Sequence, residues 1–105
     1  MNIAKQILKT GRELISDPGQ WAQGYSACDA YGQPVSVCSD RAKSWCSLGA
    51  LEKAAEILGA DDETCKEAFE LLRQQIPGYF KVVSIFNDRS THADVLALWG
   101  RAIAG

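Results

Sequence analysis

One stretch near the middle of the chain, residues 39–59, constrains the fold more than any other. Its sequence is SDRAKSWCSLGALEKAAEILG. When it is placed on a helix at about 100° per residue, its apolar side chains spread over most of the circumference. A helix that is apolar on so many sides is usually covered by neighbours on more than one face. We therefore expect a central helix over about 40–58, with Ser39 or Asp40 as N-cap and Gly59 just past its end.

Two further helices flank this segment in the sequence. Residues 2–16 carry apolar side chains on one side only and are followed by a proline at position 18, which predicts an amphipathic N-terminal helix that stops there. Asp61 and Asp62 precede a periodic stretch that ends before Pro77, which predicts a capped helix over about 62–76.

The C-terminal part contains one more helix and one ambiguous segment. Thr91 and Asp94 resemble a capping box, so a last helix is expected to begin there and to run to about Ala104. Residues 79–86 are apolar but too short for periodicity to separate a strand from a helical turn, and both interpretations stay open.

Residues 20–38 lack a helical period and contain aromatic and β-branched side chains around a polar break. This pattern predicts a small β-hairpin over about 21–38, in which 21–28 pairs with 33–38 and Gly32 occupies a turn position with positive φ. An irregular aromatic loop is the competing interpretation. With the helices, the hairpin gives an α+β fold that is mostly helical, with about four helices around the central one.

Length and charge limit the class of protein. The 105 residues, 47% hydrophobic and 23% charged, predict a single globular domain over 1–105. A net charge of −2 makes a nucleic-acid partner unlikely, because such binding depends on cationic contacts to phosphate. We also expect no membrane segment and a cytoplasmic location, since no window is long and apolar enough for a span and the N-terminus lacks a signal-peptide core.

The four cysteines do not have the spacing of a metal site. They stand at positions 28, 38, 46 and 65, and His92 is the sole histidine. Because zinc sites are recognised by closely spaced cysteine or histidine pairs, we expect no metal and no cofactor. Cys46 and Cys65 fall at apolar helix positions, which predicts that they are small core residues.

The candidate site lies where the last helix begins. Five polar residues cluster in the sequence there: Asn87, Asp88, Arg89, Thr91 and His92. Free backbone N–H groups at a helix start bind anions, and a histidine can change protonation near neutral pH. Together with a Cys38 thiolate activated at the start of the central helix, Asp88 and His92 would supply the groups for hydrolytic chemistry. The alternative is that this corner only caps the helix.

Aromatic side chains offer a second kind of candidate. Trp45 and Trp99 fall on apolar helix faces and are expected in the core. Tyr31 is placed at the hairpin tip, and exposed tyrosines are common in protein interfaces. We therefore also consider Tyr25 and Tyr31, with Tyr79 as a neighbour, as a contact patch.

Three stretches of the chain carry a resemblance to a known family. They are Leu14-Ile15-Ser16-Asp17-Pro18 with Trp21 and Gly24, then Trp45-Cys46 with Gly49-Ala50-Leu51, then Phe86-Asn87-Asp88 with Thr91-His92-Ala93-Asp94-Val95-Leu96. On these residues the chain resembles a family of small proteins of unknown function found in bacteria and their phages. The resemblance spans nearly the whole chain and implies no activity, ligand or catalytic residue.

The expected function is a non-enzymatic module that binds a protein partner. The specific form that the resemblance suggests is an inhibitor of a host defence system, encoded by a phage or another mobile element. The alternative is a domain that binds a small anionic ligand, or hydrolyses one, at the corner formed by residues 87–92. A homo-oligomer with a site between copies is a third arrangement to consider.

Overall fold

The fold is described from a computed structural model that covers residues 2–80 and 82–105; Met1 and Lys81 lie outside the described residues. Within those ranges, five α-helices and a two-stranded antiparallel sheet form a mostly helical α+β fold, as predicted. In chain order the elements are α1 (Ile3–Leu14), a 3₁₀ turn (Pro18–Gln20), β1 (Ala27–Cys28), β2 (Ser44–Trp45), α2 (Ser47–Leu58), α3 (Asp62–Arg73), α4 (Val83–Arg89) and α5 (His92–Ala104).

Helix α2 packs against α1, α3 and α4, and α1 in turn packs against α2, α3 and α5, so the two helices together occupy the centre of the fold. Small side chains make this possible. Ala50 and Ala54 are fully buried, and Gly49 lies so close to the backbone of Ser26 that an added Cβ would be 1.9 Å from the Ser26 carbonyl oxygen. The prediction that this helix is covered on more than one face is therefore confirmed.

The start of α2 differs from the prediction. The helix begins at Ser47 instead of about residue 40, and Cys46 is its N-cap, with its sulfur 3.4 Å from the N–H of Gly49. The reason is that Ser44 and Trp45 pair with β1 and are therefore extended. Ser39 and Asp40 thus have no capping role for α2, whereas Gly59 ends the helix in the left-handed conformation, as expected.

The predicted hairpin is only partly correct. A turn does form over 29–33: the N–H of Asp29 donates to the carbonyl of Gln33 over 2.9 Å, and Gly32 has φ of 78°. However, the ladder of β1 is with residues 44–45. On its other side, the segment 33–38 forms one isolated bridge, between Cys28 and Pro34, in which the N–H of Val35 donates to the carbonyl of Ala27 over 3.1 Å. This bridge does not use the N–H that proline lacks, because the N–H groups of Asp29 and Val35 donate on either side of it.

The remaining connections resolve the open segment near the C-terminus. Helix α3 is capped by Asp61 as predicted, and it ends at Arg73, before Pro77. The apolar stretch that follows is not a strand, because its second half forms helix α4.

Among the described residues, no helix has both the length and the apolar content that a membrane crossing needs.

The first and last helices hold each other in place. Gly11 of α1 faces Trp99 of α5, which is fully buried, as the sequence predicted. The Nζ of Lys5 donates to the carbonyl oxygens of Ala102 and Ile103, each over 2.9 Å. Lysine is a favourable partner for the carbonyls at a helix C-terminus, so the chain ends are joined and the corner at the start of α5 is held on a fixed frame.

Candidate functional site

Asn87 is a buried residue of helix α4 and does not lie in the open at the start of α5. Its Oδ1 accepts three hydrogen bonds, from the indole N–H of Trp21 over 2.9 Å and from the N–H and hydroxyl of Ser47 over 3.0 and 2.9 Å. Its amide donates to the carbonyl of Ala22 over 2.9 Å and to a carboxylate oxygen of Asp88 over 3.1 Å. The side chain is therefore committed to internal bonds, which makes it a structural hub.

The polar network continues through the middle of the core. Ser47, the first residue of α2, is fully buried. Its hydroxyl also lies 3.3 Å from the indole nitrogen of Trp99 and accepts that N–H. The network therefore joins α2, α4 and α5 to the loop that carries Trp21. Buried polar groups that all find partners specify one arrangement of the core.

Asp88 follows the hub residue and is only partly engaged. Its Oδ1 accepts from the N–H of Gly24 over 3.0 Å as well as from Asn87. Next to it, the Gln23 amide donates to the carbonyls of Asn87, Asp88 and Ser90 over 3.1–3.3 Å, which satisfies carbonyls at the end of α4. The loop over 21–24 and the end of α4 are thus tied together.

Thr91 and His92 have positioning roles at the start of α5. The Thr91 hydroxyl accepts the N–H of Asp94 over 3.1 Å, so it is the predicted N-cap. The Nε2 of His92 lies 2.6 Å from the carbonyl oxygen of Ile15. Since a carbonyl can only accept, this nitrogen carries the proton. The imidazole also contacts the Trp21 ring at 5.5 Å between centroids, so it fastens α5 to the end of α1.

Cys38 does not have the environment that the sequence suggested. It lies beside Glu56, near the end of α2. A hydrogen bond to the Glu56 carboxylate raises the pKa of the Cys38 thiol, where proximity to a helix start would lower it. The expectation of an activated thiolate is therefore wrong, because the helix begins at Ser47 and Cys38 faces an acidic residue.

The candidate catalytic residues are consequently not assembled. His92 contacts Ile15 and Trp21, Asp88 contacts Gly24 and Asn87, and Cys38 lies by Glu56. In the two described ranges, no cluster of three or more His, Cys, Asp or Glu side chains could hold a metal ion. Cys46 is buried, which raises the pKa of its thiol, and Cys65 is half-buried against the core.

An open groove of about 580 Å³ lies beside the predicted corner. It is bounded by the segment 77–80, by the end of α4 and by one side of α5. Three predicted site residues line it, whereas Asn87 and His92 do not. The lining residues are Gln23, Pro77, Tyr79, Phe80, Phe86, Asp88, Arg89, Ser90, Thr91, Asp94, Ala97 and Arg101.

Sequence reasoning missed the aromatic part of the groove. The rings of Tyr79 and Phe80 are 4.7 Å apart between centroids, and Phe80 meets Phe86 edge-on at 5.0 Å. Arg101, which was not among the predicted site residues, also lines the groove. A usable signal existed, since residues 94, 97 and 101 are spaced to share one face of the predicted last helix.

The tyrosines of the proposed contact patch are exposed but line different depressions. Tyr31 is 89% exposed and borders a depression with Arg41 and Lys43. Tyr25 borders another with Ser84 and Asp88, and Tyr79 lines the groove. The structure thus separates them into three depressions, of which those at Tyr25 and Tyr79 adjoin the predicted corner.

Comparison with known proteins places the chain in a family. Neither the curated proteins nor the solved structures contain a match to it. The profile of DUF6197, a family of unknown function, matches residues 2–105. That match extends over nearly the full length, as did the resemblance found in the sequence, and the chain therefore belongs to the DUF6197 family.

Proposed function

We propose that this protein is a non-enzymatic module that binds a partner protein through an exposed apolar face on and before helix α4. The face consists of Tyr79, Val82 and Ile85 and is called the 79–85 face below. These side chains are 81%, 43% and 41% exposed, respectively. Scattered apolar side chains are normal on a protein surface, but a concentration of them usually indicates an interaction site. This concentration is the observation that supports the proposal.

The local structure explains why these side chains face outward. Val83 and Phe86 turn into the core and are 1% and 6% exposed. Val82 and Ile85, three residues apart at the start of the short helix, therefore share the opposite, outer side. Polar side chains at these outer positions would not weaken the core. Burial against a partner would explain why the positions are apolar.

The polar corner gives less support to the alternative of an anionic-ligand or hydrolytic site at residues 87–92. Asn87 has no capacity left for a ligand, and the protonated nitrogen of His92 is already bonded to Ile15. Binding an anion at the start of α5 would also bring it close to Asp94, in the first helical turn. The narrower hypothesis of a phage- or mobile-element-encoded inhibitor of host defence remains a prediction about who the partner is.

The test is affinity capture from a lysate of the organism that encodes the protein, with bound proteins quantified by mass spectrometry. Three baits are compared: the wild-type protein, a variant with Tyr79, Val82 and Ile85 all changed to Ser, and a control with Ile57 and Leu58 changed to Ser. The control removes exposed apolar side chains at the end of α2. We expect one partner, in near-equal amount, with the wild type and the control but not with the face variant.

Two results would contradict the proposal. One is that no protein is enriched on the wild-type bait. The other is that the face variant retains the partner while its circular dichroism and melting temperature match those of the wild type.

A further inference from the structure

Helices α2 and α3 follow each other through the short connection over 59–61, and an open cleft lies between them. The part beside the connection has a volume of about 250 Å³, and the part further from it about 440 Å³. The two parts adjoin, because three residues line both of them. We call this surface the α2–α3 cleft and define it by Leu48, Glu52 and Ala55 of α2 and by Asp62, Cys65 and Phe69 of α3.

Helical spacing explains why these side chains face the same cleft. Residues 48, 51, 52 and 55 share one face of α2, because positions three or four apart are neighbours on a helix surface. Residues 62, 65, 66 and 69 repeat that spacing on α3. The two helices are in contact where the Cys65 sulfur lies 4.0 Å from the Leu51 carbonyl oxygen. The cleft is therefore the open side of a packed pair of helices.

The end of the cleft away from the connection is apolar. Leu51 is buried there, whereas Leu48 and Phe69 are half-buried against the core and line the cleft with their remaining surface. Burial raises the pKa of the Cys65 thiol, so this group is neutral and adds no charge. An apolar side chain of a bound molecule would lose its contact with water at this end.

The end beside the connection is acidic. Within the described part of the chain, its lining includes no lysine or arginine but four carboxylates, those of Glu52, Glu56, Asp61 and Asp62. The Cys38 thiol and the Lys53 ammonium donate to Glu56 and lower its pKa. Thr64 lowers the pKa of Asp61 in the same way. Both groups therefore stay ionised at neutral pH.

Two of these carboxylates have no internal partner. Glu56 accepts from the Nζ of Lys53 over 3.1 Å, and Asp61 is the N-cap of α3. Glu52 and Asp62, in contrast, make no hydrogen bond or ion pair with another described residue. Their oxygens are available to a donor from outside.

The charge of the cleft is not balanced by cations. Of the described residues that line it, Lys66 is the only cationic one, and its Nζ lies 3.8 Å from a carboxylate oxygen of Glu63. The groove beside α5 differs in this respect, because two arginines accompany its two aspartates. Charge complementarity therefore favours a cationic occupant in the α2–α3 cleft.

The positions of the acidic residues along α2 set the spacing of that occupant. Glu52 and Glu56 stand four and eight residues beyond Leu48, which corresponds to about 6 and 12 Å along the helix axis. An extended peptide advances by about 3.3 Å per residue, and every second side chain points to the same face. Cationic side chains about two and four residues from an apolar one would thus reach the acidic end together.

We propose that the α2–α3 cleft is a second interaction surface, which binds a short extended segment of a partner protein. In that segment an apolar side chain lies between Leu48 and Phe69, and a lysine or arginine about two residues away pairs with Glu52 and Asp62. A second cation two residues further on reaches the carboxylates beside the connection. This surface is additional to the proposed function, because the cleft and the 79–85 face share no residue.

The experiment is a selection of displayed random peptides against the immobilised full-length protein, followed by calorimetry with the most enriched peptide. The test variant carries Glu52→Gln and Asp62→Asn, which remove two charges and keep the side-chain shapes. The matched control carries Glu13→Gln and Glu67→Gln, which remove two exposed carboxylates outside the cleft. Circular dichroism establishes that each variant is folded.

The expected result is a set of peptides with a bulky apolar residue followed or preceded by alternate lysines or arginines. The most enriched peptide should bind the test variant about tenfold more weakly or worse, because charge-assisted pairs are lost. Glu52→Gln alone should weaken binding in the same direction. The control should bind as the wild type does, and added salt should weaken binding to the wild type.

Enrichment of acidic or purely apolar peptides would overturn the inference. Equal binding to the test variant and the wild type, an equal loss in the control, or no enrichment would do so as well. Sedimentation of the protein alone is a further check: a dimer that the test variant abolishes would assign the cleft to a second copy of this chain instead.

The two proposals fail separately. The variant with Tyr79, Val82 and Ile85 changed to Ser should bind the selected peptide as the wild type does, because those residues lie outside the cleft. If affinity capture finds a partner that needs the 79–85 face while no peptide is selected, the proposed function stands and only the second surface is wrong.

Discussion

At the scale of single residues, Asn87 shows what the sequence can predict about a polar residue and what it cannot. Its position in a run of polar residues suggested an exposed site, whereas the structure buries its side chain. What the sequence did not show is that Trp21, Ser47 and Ala22 converge on this side chain from distant parts of the chain. A buried amide and an exposed one look alike until the tertiary contacts are known.

Replacing Asn87 by Ala is expected to lower the free energy of unfolding by about 3 kcal/mol or more, because it leaves buried donors of Trp21 and Ser47 without an acceptor. Asn2→Ala is the control. It removes an amide that caps the start of α1 and should cost about 1 kcal/mol. Urea unfolding followed by circular dichroism measures both. Equal losses for the two variants would show that Asn87 is not the hub described here.

Replacing two helical glycines by alanine should change the free energy of unfolding in opposite directions. In Gly49→Ala, the added Cβ would meet the Ser26 carbonyl oxygen at 1.9 Å, and backbone on both sides must move. The variant should lose about 2 kcal/mol or more. In Gly100→Ala, the added methyl meets nothing within 4 Å, and α5 should gain about 0.5–1 kcal/mol. Thermal unfolding measures both changes in stability. A Gly49→Ala variant that is as stable as the wild type would contradict the packing of α2.

At the scale of elements, the sequence predicted the helices well and the strands poorly. The helices follow from local information, such as the Thr91 and Asp61 caps and the positive φ of Gly59. The pairing of β1 with β2 depends instead on contacts between residues 27–28 and 44–45. No local sequence pattern predicts these contacts. The same contact extends the backbone at Trp45, and for that reason the central helix starts later than its apolar pattern suggested.

The cap of α3 gives a prediction about pH. Hydrogen bonds from the hydroxyl and the N–H of Thr64 hold the pKa of Asp61 below its ordinary value of 3.8. A carboxylate with a lowered pKa in the folded state stabilises the protein above the unfolded value, and this stabilisation is lost as the pH falls through the folded value. Asp61→Asn should therefore lose stability at neutral pH and differ less from the wild type in acid.

Urea midpoints at neutral and acid pH measure this difference. Asp40→Asn, which removes an exposed carboxylate outside the helices, serves as the control and should show no comparable pH-dependent difference. If Asp61→Asn lost the same stability at both pH values, the hydrogen bonds to Thr64 would not depend on the charge of Asp61.

At the scale of the whole molecule, the structure separates an internal polar network from an exposed binding surface. The network, centred on Asn87, fixes how α2, α4 and α5 meet and leaves the outer side of α4 free. The 79–85 face includes that outer side, and Tyr79 also lines the groove. The sequence could not indicate this separation, because neighbouring residues differ in burial: Ile85 is exposed, whereas Phe86 is buried in the core.

The most direct test of this account is hydrogen–deuterium exchange of the protein with and without its captured partner. We predict that the partner slows exchange over 79–91 and in the half of α5 that faces the groove, with no change at the turn over 29–33. Slower exchange confined to that turn, or to the end of α2, would contradict the account and move the interface away from the 79–85 face.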